Sequence, residues 1–379
     1  MSEGASSSSP GRGDVPTRRR LGRTTLSVTE LGFGAAPIGN FRFDTSDADA
    51  QGALAGYWAA GGRYYDTSPF YGYGRSELRV GQFLRGVDPA DYLLSTKVGR
   101  WLRPLRADDD RSGMRQGGLP FFPTYDMSYD GAMRSLEQSY LRLGLDRIDL
   151  VLIHDVDAFT HGSDAAAEPL FEEAMGGAYR ALVELRTAGQ IRAIGAGIND
   201  TRWCRRFVEA GDFDCMMLAG QYSLLEHSPE VLDLLSLCAS KEIGVLIAGV
   251  FNSGILAAGS NSGAAFHYRP APQAIIERVG LMETIATGHG LPLAAAAIQF
   301  VLAHPAVSAA VLGATSRAEV EANFEAYRHP IPQAFWADLR SAGLLGADLP
   351  EATPGTPSIR TQGPSRTSNP GEDAAHVVR

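Results

Sequence analysis

Arg63-Tyr64-Tyr65-Asp66-Thr67-Ser68-Pro69-Phe70-Tyr71-Gly72-Tyr73-Gly74-Arg75-Ser76-Glu77 is the stretch on which the architecture turns. Its first five residues, Arg63–Thr67, read as a short apolar strand. They follow a helix that opens with the capping box Ser46-Asp47-Ala48-Asp49 and stops at Gly61 and Gly62. The same alternation of strand and amphipathic helix recurs along the chain. Eight strand candidates stand out: Glu30–Ala35, Arg63–Thr67, Leu93–Val98, Asp149–His154, Ala193–Ile198, Asp214–Gln221, Gly244–Val250 and Ala309–Gly313.

The helices between them are marked by their ends. Ser128 and Asp130 open a helix whose Met133, Leu136, Tyr140 and Leu143 share one face, and it closes at Gly144. Ser228-Pro229-Glu230 combines an N-cap, an N1 proline and an acid in the first turn, and Ser316 with Glu319 forms another capping box. Strands alternating with helices signal a parallel sheet, and eight of them predict an α/β fold: a (β/α)8 TIM-type barrel, not an open doubly wound sheet. A hairpin at Leu21–Val28 is placed to plug the barrel's lower end. The long connection Gly99–Asp126, with Trp101, Pro120, Phe121 and Phe122, is a candidate lid or substrate loop.

Composition bounds the rest. A chain of 379 residues, 44% hydrophobic and 20% charged, buries one large core. We place that domain at 18–349, between Ser/Gly/Pro-rich tails at 1–17 and 350–379 expected to be disordered. A net charge of -9 argues against a nucleic-acid or anionic-membrane partner. No secretory h-region precedes the arginines at 18–20, and Leu291–Ala303 is too short for a membrane span. Cys204, Cys215 and Cys238 lack the spacing of a zinc site or a disulfide framework and fit a reducing cytoplasm, with Cys215 in a core strand. A monomer or small homo-oligomer acting on a small molecule is the expectation.

In a βα barrel, catalysis collects where the strands' C-terminal ends meet. Those ends carry Asp66, Lys97 and His154, with Tyr71 just beyond the first. A phenol with an ordinary pKa near 10 needs help to exchange protons at neutral pH. An adjacent ammonium favours the phenolate, a carboxylate orients the ammonium, and a histidine can hold the substrate oxygen. Each group taken singly also has a structural explanation; their joint placement points to proton exchange coupled to hydride transfer. No G-x-G-x-x-G follows an early strand: Gly32 and Gly34 lack the third glycine, so a Rossmann domain is not expected. No G-x-S-x-G elbow and no histidine or cysteine ligand cluster supports a hydrolase or a metal site.

Residues 65–77 closely resemble the signature of the aldo-keto reductases, with Asp66-Thr67 ahead of Tyr71-Gly72 and Ser76-Glu77. Ser95-Thr96-Lys97-Val98-Gly99 and Leu152-Ile153-His154-Asp155 look like that family's lysine and histidine motifs, and the match runs in order from Leu21 to Tyr327. The resemblance implies that Tyr71 is the general acid/base, that Lys97 and Asp66 tune it, and that His154 orients the substrate. It implies an NAD or NADP cofactor lying along Gly34 and Asp66, with its carboxamide on Asn199 and Gln221. The pyrophosphate is implied on the loop containing Phe251, Asn252, Ser253 and Gly254, and the adenosine end at Gly313, Ala314, Ser316, Arg317, Glu319 and Asn323. A helix N-terminus at Ser316 suits anions. Gly249 or a neighbour replaces the tyrosine that often stacks on the nicotinamide. Glu319 either accepts from a ribose 2′-hydroxyl, which favours NAD, or only completes its capping box, and Arg317 could reach a 2′-phosphate.

Residues 119–131 and 147–157 narrow the resemblance to the aldose 1-dehydrogenases of L-fucose and D-threo-aldose type, with pyridoxal 4-dehydrogenase as a near relative. That implies oxidation of a cyclic hemiacetal to a lactone, with Tyr71 as base. Trp101 is either a stacking wall for the substrate or packing for its own loop. The alternatives are general aldehyde reduction and, from another class, a nicotinamide-binding regulatory subunit.

Overall fold

The computed structural model describes residues 15–40, 44–111, 114, 117–261 and 263–346. In chain order the strands are β1 (Arg18–Arg20), β2 (Ser27–Thr29), β3 (Leu31–Gly34), β4 (Tyr64–Asp66), β5 (Leu93–Val98), β6 (Arg100–Pro104) and β7 (Phe121–Tyr125). They continue with β8 (Leu150–His154), β9 (Ala193–Ile198), β10 (Cys215–Ala219), β11 (Gly244–Ala248), β12 (Ala265–Phe266), β13 (Arg269–Pro270) and β14 (Val307–Gly313). A closed parallel barrel runs β3-β4-β5-β8-β9-β10-β11-β14 and back to β3. All eight strand candidates are its staves, most of them trimmed by a residue or two at the ends.

The core has two parts. Outside the staves, residues such as Leu54, Leu136, Leu182, Phe207 and Phe324 pack the helices onto the sheet. Inside, Tyr64, Leu150, Leu152, Met217, Leu246 and Val311 fill the barrel, with Cys215 among them. The β1–β2 hairpin contributes Leu21, Leu26 and Val28 to this inner cluster, so it plugs the barrel as expected. Gly22 at its turn has φ +54, and a Cβ there would stand 2.4 Å from the Glu242 carbonyl oxygen, so only glycine fits.

The helix ends largely match the sequence. The Ser46, Ser128 and Ser316 hydroxyls accept from the N–H of Asp49, Gly131 and Glu319, and Gly144 closes Tyr129–Leu143 at φ 61. Ser228 holds the N-cap position of Pro229–Ser240 but makes no side-chain cap bond. No single helix is long and apolar enough to cross a membrane. Residues 1–14 and 347–379 lie outside the described residues. Thr17 is anchored: its N–H meets the Tyr327 hydroxyl at 3.3 Å and its carbonyl accepts from Glu30 at 2.8 Å.

One buried histidine in this frame makes the fold acid-sensitive. His304 is 8% exposed, and its Nδ1 accepts from the Ala306 N–H at 3.2 Å. Burial pushes its pKa down to about 4. Between the unfolded value near 6.5 and that figure, only the unfolded chain gains the proton, so this stability is present above pH 6.5 and lost as pH falls. The loss from this group between pH 7 and pH 5 is about 2 kcal/mol. Urea unfolding should show a shallower acid decline in His304→Asn, which keeps an acceptor for Ala306; parallel pH profiles would refute the assignment.

Candidate active site

β4 ends on Asp66, and the next turn delivers Tyr71. Gly72, Tyr73 and Gly74 all have left-handed backbones, with φ of 64, 53 and 97. A Cβ on Gly72 would sit 1.8 Å from the Gly39 carbonyl oxygen, so glycine is required for the turn that aims the phenol. Beneath it, the Ser76 hydroxyl donates to the Ala35 carbonyl at 2.8 Å and bonds Thr67 at 2.8 Å. Glu77 accepts from the Thr96 hydroxyl at 2.7 Å and from Arg142 at 2.6 Å. The Ser-Glu pair thus ties the turn and its following helix to β3, β5 and the helix Tyr129–Leu143.

The four predicted catalytic residues converge. Lys97 Nζ donates to Asp66 Oδ2 at 2.7 Å and to the Thr67 carbonyl at 2.9 Å, with both side chains almost fully buried. Asp66 Oδ1 accepts from the Ser95 hydroxyl at 2.7 Å. The ammonium lies 4.7 Å from the Tyr71 ring centroid, and the His154 ring meets that ring edge-on at 5.8 Å. The electrostatics differ from the expectation that Lys97 lowers the tyrosine pKa. Burial, then the Asp66 and Asp155 carboxylates, push the Tyr71 phenol well above its ordinary value. Asp66 already partners the ammonium, so Lys97 offers the phenol little net charge. Burial likewise holds His154 well below its usual pKa, with Arg100 and Lys97 adding to the effect and Asp155 opposing it. At neutral pH the Tyr71 phenol and the His154 ring are both uncharged.

A cavity of about 860 Å³ opens at the C-terminal ends of the staves. Gly34, Asp66, Tyr71, Lys97, His154, Asn199, Phe251, Ser253, Gly254 and Gly313 line it, as does Gly249, whose backbone has φ +68. Gln221 and Asn252 line a smaller recess that shares Asn199, Gly249 and Ser253 with it. Asn252 is 3% exposed and neither of its amide atoms has a protein partner. An orphaned buried amide beside a glycine-lined cleft fits a polar ligand such as a nicotinamide dinucleotide. Asn199 Nδ2 donates to Asp155 at 2.8 Å and to Asp157 at 3.2 Å, which leaves its Oδ1 to accept from a ligand N–H.

Other predicted contacts lie elsewhere. Ala314, Ser316, Arg317, Glu319 and Asn323 do not line the cavity or the recess. Glu319 accepts from the Thr315 N–H at 2.7 Å and hydroxyl at 2.9 Å, so its carboxylate is engaged at its own helix start. Trp101 sits on β6, donates to Asp126 at 3.2 Å, carries the Arg134 guanidinium 4.7 Å from its ring, and does not line the cavity. The long connection is a β6–β7 hairpin that presents Arg100 and Tyr125 to the cavity instead. Sequence reasoning passed over Arg100, Tyr125, Phe70, Phe159 and Tyr268, all on the wall. Arg100 had a signal, since it stands three residues beyond Lys97 at a strand end; the aromatics had none, because their position depends on loop conformation.

Comparison with known proteins agrees with this geometry. The aldo/keto reductase family model matches residues 30–343. A pyridoxal 4-dehydrogenase from Microbacterium luteolum is 42% identical over 86% of this chain and 98% of its own. A D-threo-aldose 1-dehydrogenase from a Pseudomonas species is 36% identical over 84% of this chain and 95% of its own. Among solved structures, an aldo-keto reductase from Bacillus halodurans in its holo form superposes with a TM-score of 0.65 at 24% identity, covering 89% of this chain and 98% of that one, and so speaks for the fold. With its closed barrel, its Tyr71, Lys97, Asp66 and His154 at one mouth, and these relatives, the chain belongs to the aldo/keto reductase family and is an oxidoreductase of that kind.

Proposed function

We propose that this enzyme oxidises a cyclic hemiacetal at its anomeric carbon to a lactone, using NAD in preference to NADP. The observation that carries the reading is the meeting of Tyr71, the Lys97–Asp66 pair and His154 at the cavity floor. Bound nicotinamide supplies the hydride acceptor. The protein's own part is proton handling and orientation. As phenolate, Tyr71 takes the anomeric hydroxyl proton in oxidation, and as phenol it returns one in the reverse direction, while His154 holds the substrate oxygen. Because the ligand-free phenol is pushed up, the site is poised as an acid at neutral pH, and oxidation should gain rate as pH rises. Asn199, Gln221 and the 251–254 loop are the residues we assign to the cofactor, and Glu319 supports the NAD preference only if it leaves Thr315.

Two substrate classes fit. An aldose of L-fucose or D-threo-aldose type is the first. A pyridoxal-like ring is the second, favoured by the aromatic wall of Phe70, Tyr125, Phe159 and Tyr268 and by the 42% identity to a pyridoxal 4-dehydrogenase. Both relatives are dehydrogenases, and nothing favours the regulatory-subunit alternative. Initial rates of NAD and NADP reduction with L-fucose, D-arabinose, L-galactose and pyridoxal test the proposal. We expect lactone formation with at least one and a higher kcat/KM with NAD. Activity confined to NADPH-linked reduction of small aldehydes would replace this reading with general aldehyde reduction.

A further inference from the structure

His154 is held by a residue outside the predicted tetrad. Arg100 opens β6 and is 3% exposed, its guanidinium lying 4.3 Å from the Phe70 ring and 4.2 Å from the Tyr125 ring. Nη1 is 3.1 Å from His154 Nδ1, while Nη2 donates to Asp155 Oδ2 at 2.8 Å and to the Tyr125 hydroxyl. The Ser68 hydroxyl is also 3.1 Å from Nδ1 and can donate or accept, and Asp155 Oδ1 stands 3.4 Å from Nε2. A guanidinium carries donors only, so Nδ1 accepts from Arg100, and a neutral imidazole then bears its proton on Nε2. Arg100 also reaches the cofactor side: Asp155, gripped by the same guanidinium, accepts from Asn199 Nδ2 at 2.8 Å. The carboxylate is built for this role. Burial opposes its charge, but the Arg100 guanidinium and the Asn199 amide hold its carboxyl below the usual carboxylate range. One guanidinium and one carboxylate therefore join the side chain assigned to the substrate oxygen to the side chain assigned to the carboxamide.

We propose that Arg100 is a positioning residue that makes His154 an Nε2–H donor and, through Asp155, orients Asn199. The proposal rests on the reading of Tyr71 and His154 as the proton-handling pair. A purely structural Arg100, clamping the β6–β7 hairpin between two rings, would affect stability alone. The readouts below separate the two.

The experiment uses full-length wild type, Arg100→Met and Tyr71→Phe, labelled with 15N-histidine. In wild type at pH 7 we expect the His154 nitrogens to show the neutral Nε2–H tautomer; in Arg100→Met, where the Ser68 hydroxyl on Nδ1 can accept as well as donate, the Nδ1–H form should gain population. The variant's kcat/KM with the best hemiacetal should fall about 10²-fold. Its acid limb should move to higher pH, because His154 then faces Lys97, Tyr71 and Asp155 with one cation fewer. Weaker cofactor binding should accompany this through Asn199. A wild-type spectrum showing an Nδ1–H or charged ring overturns the proposal even if Arg100→Met does not fold. So does a folded Arg100→Met with unchanged tautomer and pH profile. An active Tyr71→Phe would instead remove the reading beneath it, whereas an inactive Tyr71→Phe with a wild-type-like Arg100→Met would remove the Arg100 assignment alone.

Discussion

Replacing Tyr71 by phenylalanine is expected to lower kcat by about 10²- to 10⁴-fold while the cofactor binds within a few-fold of wild type. The ring is packed, not merely placed: it meets the His154 ring edge-on and lies above Lys97. Phenylalanine keeps those contacts and deletes only the hydroxyl, so the fold should survive. What disappears is the hydroxyl whose proton the proposed reaction exchanges, on a phenol that burial pushes well above its ordinary pKa. The measurement pairs steady-state kinetics with quenching of intrinsic fluorescence by the reduced cofactor. Turnover near that of wild type would mean that another group moves the proton.

The second large effect is on stability as well as rate. In Lys97→Met the Asp66 carboxylate, 2% exposed, loses its 2.7 Å partner. Removing one member of a buried ion pair costs about 3–5 kcal/mol, because the remaining charge stays in a poorly solvating interior. Urea unfolding at pH 7 should show that loss. The double variant Lys97→Met with Asp66→Asn should recover much of the stability, since no buried charge is then left alone, yet remain inactive. If the single variant matched wild-type stability, the pair would not be the strut that its geometry indicates.

The barrel was legible because its evidence is local. Strand ends such as Lys97 at the close of β5 and His154 at the close of β8 follow from short apolar runs and the caps around them. The hairpin plug was legible for the same reason, since Leu21, Leu26 and Val28 are apolar residues around a turn. Trp101 was not. Its side chain and that of Arg100 leave adjacent positions of one strand on opposite faces, and which face meets the cavity depends on how the β6–β7 hairpin sits over the barrel. The adenosine-end residues show a similar limit, because Glu319 has two acceptable partners and only the folded loop places it on Thr315.

The amino-acid sequence by itself therefore determined the number and order of the staves, and the meeting of Tyr71, Lys97, Asp66 and His154 at one mouth. Periodicity and capping act over a few residues, and barrel closure carries strand ends to a common rim. Only the tertiary structure decided the electrostatics: that Lys97 pairs with Asp66, that the Tyr71 phenol is pushed up, and that Arg100 grips His154. Burial and Coulomb interactions depend on distances through space between residues far apart in the chain, and those distances exist only once the barrel has closed.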